Sequence, residues 1–243
     1  MVNDERFLDR FSFREQYLAT RSAKAAKIIA ILREEGVQCE RSMLLDIGCS
    51  QGHITYQMAR VFHSVIGMDL NNEGWEASSS LQFLQADACQ LPLATGLFDV
   101  VLLNHTIEHV ASPQLLMREV WRVLRRNGVC YLACPNRYSI IEPHYRLPFL
   151  SWIPRTVANR YVQLARRGDT YLDNMPSYRK LRDLARPFGV RDLTVTILKN
   201  PGRFLESDPP LLRKTKLISW LPAWLLKLLA PVLPVWILVL RKE

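Results

Sequence analysis

Five short apolar runs punctuate residues 43–136: MLLDIG (43–48), VIGMDL (65–70), LQFLQAD (81–87), FDVVLLNH (98–105) and VCYLACPN (129–136). Each is hydrophobic almost throughout, not alternating, which is the pattern of strands buried on both faces. The segments between and before them read as helices. HITYQMARVF (53–62) is amphipathic. SPQLLMREVWRVLRRNG (112–128) has Ser112 as a cap, Pro113 at the first helical position and Gly128 as a stop. FREQYLATRSAKAAKIIAILREE (13–35) is stopped by Gly36. This alternation predicts an α/β fold, a parallel sheet with helices on both faces, and a chain of 243 residues accommodates it in one domain.

Ligands in such sheets bind beyond the carboxyl ends of the strands. The polar residues there are Asp46, Asp69, Asp87, Asn104 with His105, and Asn136. The turn after the first strand, GCSQG (48–52), narrows the ligand class. It lacks the third glycine of a dinucleotide-binding GxGxxG and the Gly-Lys-Ser/Thr ending of a P-loop. Asp46, just before it, would repel a phosphate. The turn suits a ligand with positive charge or hydrogen-bond donors.

With these residues in place, the chain resembles the class I S-adenosylmethionine-dependent methyltransferases, most nearly the subgroup containing ubiquinone- and menaquinone-pathway enzymes. LLDIGCSQG (44–52) resembles the first family motif, VIGMDLN (65–71) the second, and FLQADACQLPLATGLFDVV (83–101) the third and fourth. NHTIEHV (104–110) and the helix ending RVLRRNG resemble the region that follows. The resemblance covers residues 42–140, and the C-terminus more weakly. It implies a Rossmann-like seven-stranded sheet, mostly parallel with the last strand antiparallel, and S-adenosylmethionine as cofactor. It also assigns roles. Gly48, Cys49, Ser50 and Gly52 bring the backbone to the amino-acid moiety, and Asp46 orients the turn. Asp69, with Leu70 beside it, accepts the ribose hydroxyls. Asp87 and Ala88 bracket the adenine edge, and Asn104 and His105 lie beneath the methionine arm. Ser50 departs from the family, which usually has Gly there.

For the acceptor side the resemblance points to His109. It serves either as a base or substrate orienter, or as a residue packing the loop against the cofactor. Residues 140–176 read as a lid, in which Tyr138 (just before it), His144, Tyr145 and Arg146 are the candidate substrate contacts.

The net charge of +9 is uneven: residues 140–216 carry 15 basic and 7 acidic residues, a net +8. Such a segment attracts phosphates of lipid head groups, nucleic acid or a substrate, or is simply solvated. The stretch LISWLPAWLLKLLAPVLPVWILVL (217–240) is long enough to span a bilayer, but Pro222, Pro231, Pro234 and Lys227 interrupt it. The resemblance implies a closing antiparallel strand pair, which RDLTVTILKN (191–200) and the end of this stretch, VWILVLRK (235–242), fit. That leaves 211–233 as an apolar helical insertion with three fates: a membrane-interface contact, packing on the lid or a second copy, or a transmembrane helix. The organisation expected is a helical cap (1–42), a cofactor-binding core (43–139), the lid, and a closing segment (177–243).

Five cysteines (39, 49, 89, 130, 134) form no CxxC pair and no metal-type spacing with histidine, so a reducing compartment and no metal are expected. The N-terminus lacks the apolar core of a signal peptide. The expected function is methyl transfer to O or C of a small hydrophobic or lipid-linked acceptor. It is placed in the cytoplasm, peripherally at the inner face of an anionic membrane. An RNA methyltransferase is the alternative, but no RNA-binding module is present and nucleic acid is not the expected partner. A non-catalytic scaffold is the third reading.

Overall fold

A computed structural model describes residues 4–171 and 174–243, with side chains from Gln16 onward. The strands are β1 (Met43–Ile47), β2 (Ser64–Asp69), β3 (Leu81–Gln85), β4 (Phe98–Asn104), β5 (Leu124–Pro135), β6 (Gly189–Asp192) and β7 (Val235–Arg241). They form one sheet in the order β3-β2-β1-β4-β5-β7-β6. β1 through β5 pair in parallel, and β7 runs antiparallel between β5 and β6.

The helices are α1 (Asp4–Glu34), α2 (His53–Ala59), α3 (Pro113–Val123), α4 (Arg155–Leu164), α5 (Tyr178–Leu184), α6 (Thr194–Lys199), α7 (Pro201–Phe204), α8 (Pro209–Ser219) and α9 (Ala223–Leu229). They cover both faces, which is why the strands read as continuous apolar runs. Successive residues serve opposite cores: Leu45, Ile47, Val101 and Leu103 pack on one side with Val120 and Trp236. Leu44, Val100 and Leu102 pack on the other with Ile28, Ile31 and Tyr131. The lid has a small core of its own, including Leu147, Leu150, Ala158, Val162 and Tyr171.

Two expectations need correction. The helix from Ser112 ends at Val123, not at Gly128, and 124–128 already belong to β5. Local helix propensity in RVLRRNG loses to tertiary pairing: Leu124 is fully buried opposite Phe98, and Arg125 makes an ion pair with the buried Asp99. Likewise 191–200 is not one strand. β6 stops at Asp192, whose Oδ1 accepts from Thr194 N (2.9 Å), and TVTILK turns into α6 despite its β-branched residues.

Strand order reverses between β1 and β4, so a crevice opens beyond their carboxyl ends. α1 and the lid border it.

Candidate functional site

The turn after β1 is built around glycine at two positions. Gly48 has φ +77°, and its N–H donates to Met68 O (2.7 Å). A Cβ there would lie 2.6 Å from both Oγ1 and Cγ2 of Thr106. Gly52 has the same φ at the start of α2, and its Cβ would lie 2.9 Å from Phe83 Cζ. Ser50 between them also adopts a left-handed φ, +51°. That conformation explains why glycine is the usual residue there in the family the sequence resembles.

Asp69, at the end of β2, organises this turn. Its Oδ2 accepts from Ser50 N (2.8 Å) and its Oδ1 from Asn71 N (3.2 Å). Each oxygen retains a lone pair for a further donor. Ser50 O in turn accepts from Trp75 Nε1 (2.7 Å), and Trp75 stacks on Phe83 with centroids 5.0 Å apart.

Beyond the strand ends lies a cavity of about 730 Å³. Of the sequence-predicted residues, Gly48, Ser50, Asp69, Leu70, Asp87, Ala88, Asn104, His105, His109 and His144 line it together. Asp46, Gly48, Cys49, Ser50 and Asn104 line a smaller recess alongside, closed by Tyr17 and Arg21. Gly52 shapes the turn from behind. Tyr138, Tyr145 and Arg146 do not line either space: Tyr138 packs against Trp152, Tyr145 donates to Thr170 O, and Arg146 is exposed.

Sequence reading missed Arg21 and Lys24, which reach the cavity from α1. Tyr17, Arg21 and Lys24 recur at i, i+4 and i+7, one face of a helix, and that spacing is the signal that could have found them. Burial lowers the Lys24 ammonium below its usual range and lowers Lys27 to about 8, with Arg21 and Lys24, respectively, adding like-charge repulsion. Glu108 and Glu142, both fully buried beneath His105 and His144, were missed as well.

Asp46 is buried and accepts from Thr55 Oγ1 (2.7 Å). Burial pushes its carboxyl up to about 6; the Thr55 hydroxyl works against this and the Asp69 charge adds to it. Because the folded pKa exceeds the ordinary value of 3.8, the fold favours the protonated form. The ionised group therefore costs stability as pH rises through the window from about 4 to about 6. Asp46→Asn keeps an acceptor for Thr55 and removes that cost. Thermal denaturation should find it about 2–3 kcal/mol more stable than wild type at neutral pH, with the gain gone below about pH 4. The Cys49 thiol beside it is also raised by burial, so it is held protonated.

The residues fit S-adenosylmethionine. Acids stand where a cationic, hydroxyl-bearing ligand needs acceptors, and two glycine cradles would be filled by any Cβ. Asp69→Ala should weaken binding of S-adenosylhomocysteine by about 1.5–3 kcal/mol, read by calorimetry.

Residues 45–132 match the model of a methyltransferase domain. The chain is 31% identical over 137 residues, 51% of its length and 54% of theirs, to a ubiquinone biosynthesis O-methyltransferase of Brucella anthropi. It is 29% identical over 125 residues, 46% of its length and 48% of theirs, to that of Parvibaculum lavamentivorans. It thus spans about half the length of the curated relatives it matches. In fold it is similar to an S-adenosylmethionine-dependent methyltransferase of Thermotoga maritima, with a TM-score of 0.54 at 18% identity, covering 98% of this chain and 97% of that one.

Proposed function

We propose that this chain, a member of the class I S-adenosylmethionine-dependent methyltransferases, methylates a hydroxyl of a small hydrophobic or lipid-linked acceptor at a membrane face. The observation that carries the reading is one cavity lined both by the strand-end acids Asp69 and Asp87 and by the imidazoles of His109 and His144. The activity for which the relatives are named, O-methylation in ubiquinone biosynthesis, supports oxygen as the accepting atom.

When bound, the cofactor supplies a methyl group on a sulfonium. An acceptor oxygen aligned with it would form the O–C bond as the S–C bond breaks, with that bond's electron pair left on sulfur. The chain's part is alignment and exclusion of water. Asp69 would accept hydrogen bonds from the ribose hydroxyls and Asp87 from the adenine amine. Arg21 and Lys24 offer positive charge to the cofactor carboxylate. His109 receives or directs the proton that the acceptor hydroxyl loses. Val110, Ala111 and Pro143 give that end an apolar wall.

The membrane contact is assigned to α8 and α9. Between Pro209 and Leu229 there is no acidic residue, while Arg213, Lys214, Lys216 and Lys227 are exposed. Leu217, Trp220, Trp224 and Leu228 are 78%, 88%, 68% and 69% exposed, an apolar face that the fold leaves uncovered. Lys199 Nζ donates to Ser219 O (2.6 Å) and Leu221 O (3.1 Å), fastening the bend between the two helices. No helix among the described residues is long and apolar enough to cross a membrane. Trp beside apolar and basic residues favours the interface of an anionic bilayer. Charge attraction is screened by salt over about 8 Å whereas apolar burial is not. Binding to anionic vesicles should therefore weaken in high salt without vanishing. Replacing Leu217, Trp220, Trp224 and Leu228 by Ser should abolish the salt-resistant part in vesicle sedimentation and leave cofactor binding intact. A wild-type protein that ignores anionic vesicles at low salt would contradict the assignment.

The acceptor reading is tested by transfer from methyl-labelled cofactor. Label in membrane lipid extract is expected; label in RNA, or in neither, would overturn it.

A further inference from the structure

Glu108 is a buried carboxylate with a conspicuous deficit. Its side chain is fully buried, and among the described residues neither oxygen has a hydrogen-bond partner. A carboxylate in that position is strongly destabilising unless a cation faces it. His105 Nδ1 lies 3.5 Å from Glu108 Oε1, and ligand atoms of His105, Glu108 and His144 all lie within 4.8 Å of one another. Behind His144 stands a second fully buried carboxylate, Glu142. Its Oε1 is 3.4 Å from His144 Nδ1, while its Oε2 accepts from Tyr145 N (2.5 Å).

The elements bring these groups together from two distant parts of the chain. His105 and Glu108 follow β4, where His105 takes a left-handed φ of +61° and Thr106 donates to Ile47 O (2.8 Å). Glu142 and His144 follow β5 in a tight loop held by Arg146 N donating to Glu142 O (2.8 Å). Both histidines line the cavity.

We propose that His105, Glu108 and His144 bind a divalent transition-metal ion at the acceptor end of the cavity, with Glu142 orienting His144 from behind. Two imidazoles and one carboxylate form a ligand set suited to zinc or ferrous iron, with coordination positions left for an outside oxygen. A carboxylate accepting from the far side of a ligating imidazole is the usual support of such a site. Magnesium, which demands oxygen ligands, is a poor match. Resting on the methyl-transfer reading, the ion would take the acceptor's oxygen and favour its deprotonated form, the state that attacks a methyl group. The cysteine spacing that argued against a metal does not bear on this cluster, which contains no cysteine.

The test uses the full chain, treated with chelator, desalted and titrated with zinc chloride by calorimetry. Cobalt chloride added to the same preparation supplies a visible absorption spectrum of the site. One equivalent of zinc per chain is expected. Glu108→Gln, which preserves shape, and His144→Ala should each weaken it by about 10²-fold or more. His63→Ala, an exposed histidine away from the cavity, should change nothing. Absence of saturable zinc binding in the wild type overturns the site, as does binding that survives both Glu108→Gln and His144→Ala. S-Adenosylhomocysteine is titrated into the same samples. If it binds and zinc does not, the metal site fails and the methyltransferase reading stands; if zinc binds and it does not, the reverse holds.

Discussion

Gly48→Ala should all but eliminate cofactor binding and lower the melting temperature by roughly 5–15 °C. Two costs add. A residue with a Cβ at φ +77° loses about 1–2 kcal/mol to left-handed strain. The added methyl group would also meet Thr106 Oγ1 and Cγ2 at 2.6 Å, and forcing an atom into a packed site costs about 1–3 kcal/mol more. Thr106 cannot retreat freely, because its hydroxyl is committed to Ile47 O at 2.8 Å. The strain is therefore relieved by moving the β1 turn, the part of the backbone that faces the ligand. Gly96→Ala is the control. Gly96 also has a positive φ, +68°, but nothing lies within 4 Å of its would-be Cβ. It should lose only the backbone part, about 1–2 kcal/mol, and bind cofactor normally. If Gly48→Ala is no worse than Gly96→Ala in thermal denaturation and calorimetry, crowding at Thr106 has no role in the turn.

His109→Ala should reduce turnover by on the order of 10²-fold while leaving cofactor affinity nearly unchanged. His109 is exposed, lines the cavity, and has its ring centroid 5.1 Å from that of His144. A side chain so placed meets the acceptor without supporting the nucleoside. Single-turnover kinetics on cofactor-saturated enzyme separate this from the other role that fits a histidine here. Reduced affinity with an unchanged rate would make His109 a packing residue, and the proton would then leave by another route.

The strand-end rim of the cavity was legible in the sequence because it follows from local rules. An apolar run buried on both faces must end where the sheet ends, so Asp69, Asp87 and Asn104 fell at the crevice once the strands were recognised. The glycines at 48 and 52 marked a turn for the same reason. What the sequence hid depends on contacts between distant segments. Nothing local says that Leu124 will leave α3 to pair with Phe98, or that Arg21 and Lys24 of α1 will lie over the β1 turn. The lid was the hardest part to read. Tyr138, Tyr145 and Arg146 looked as suitable as His144 because all four follow β5 closely. Only the loop's path separates them, and that path is set by the Glu142 backbone and carboxylate contacts. TVTILK failed for the opposite reason: its β-branched composition is a real strand signal, overruled by the turn at Asp192, whose carboxylate accepts from Thr194 N.

The most direct measurement of the central claim is a calorimetric comparison of two ligands on the wild-type chain, S-adenosylhomocysteine and a nicotinamide dinucleotide. They share an adenosine but differ in what lies beyond it, a charged amino acid in one and a pyrophosphate in the other. With Asp46 and Asp69 flanking the β1 turn, the account predicts one saturable site per chain for S-adenosylhomocysteine and no measurable binding of the dinucleotide. Saturable dinucleotide binding without binding of S-adenosylhomocysteine would contradict it.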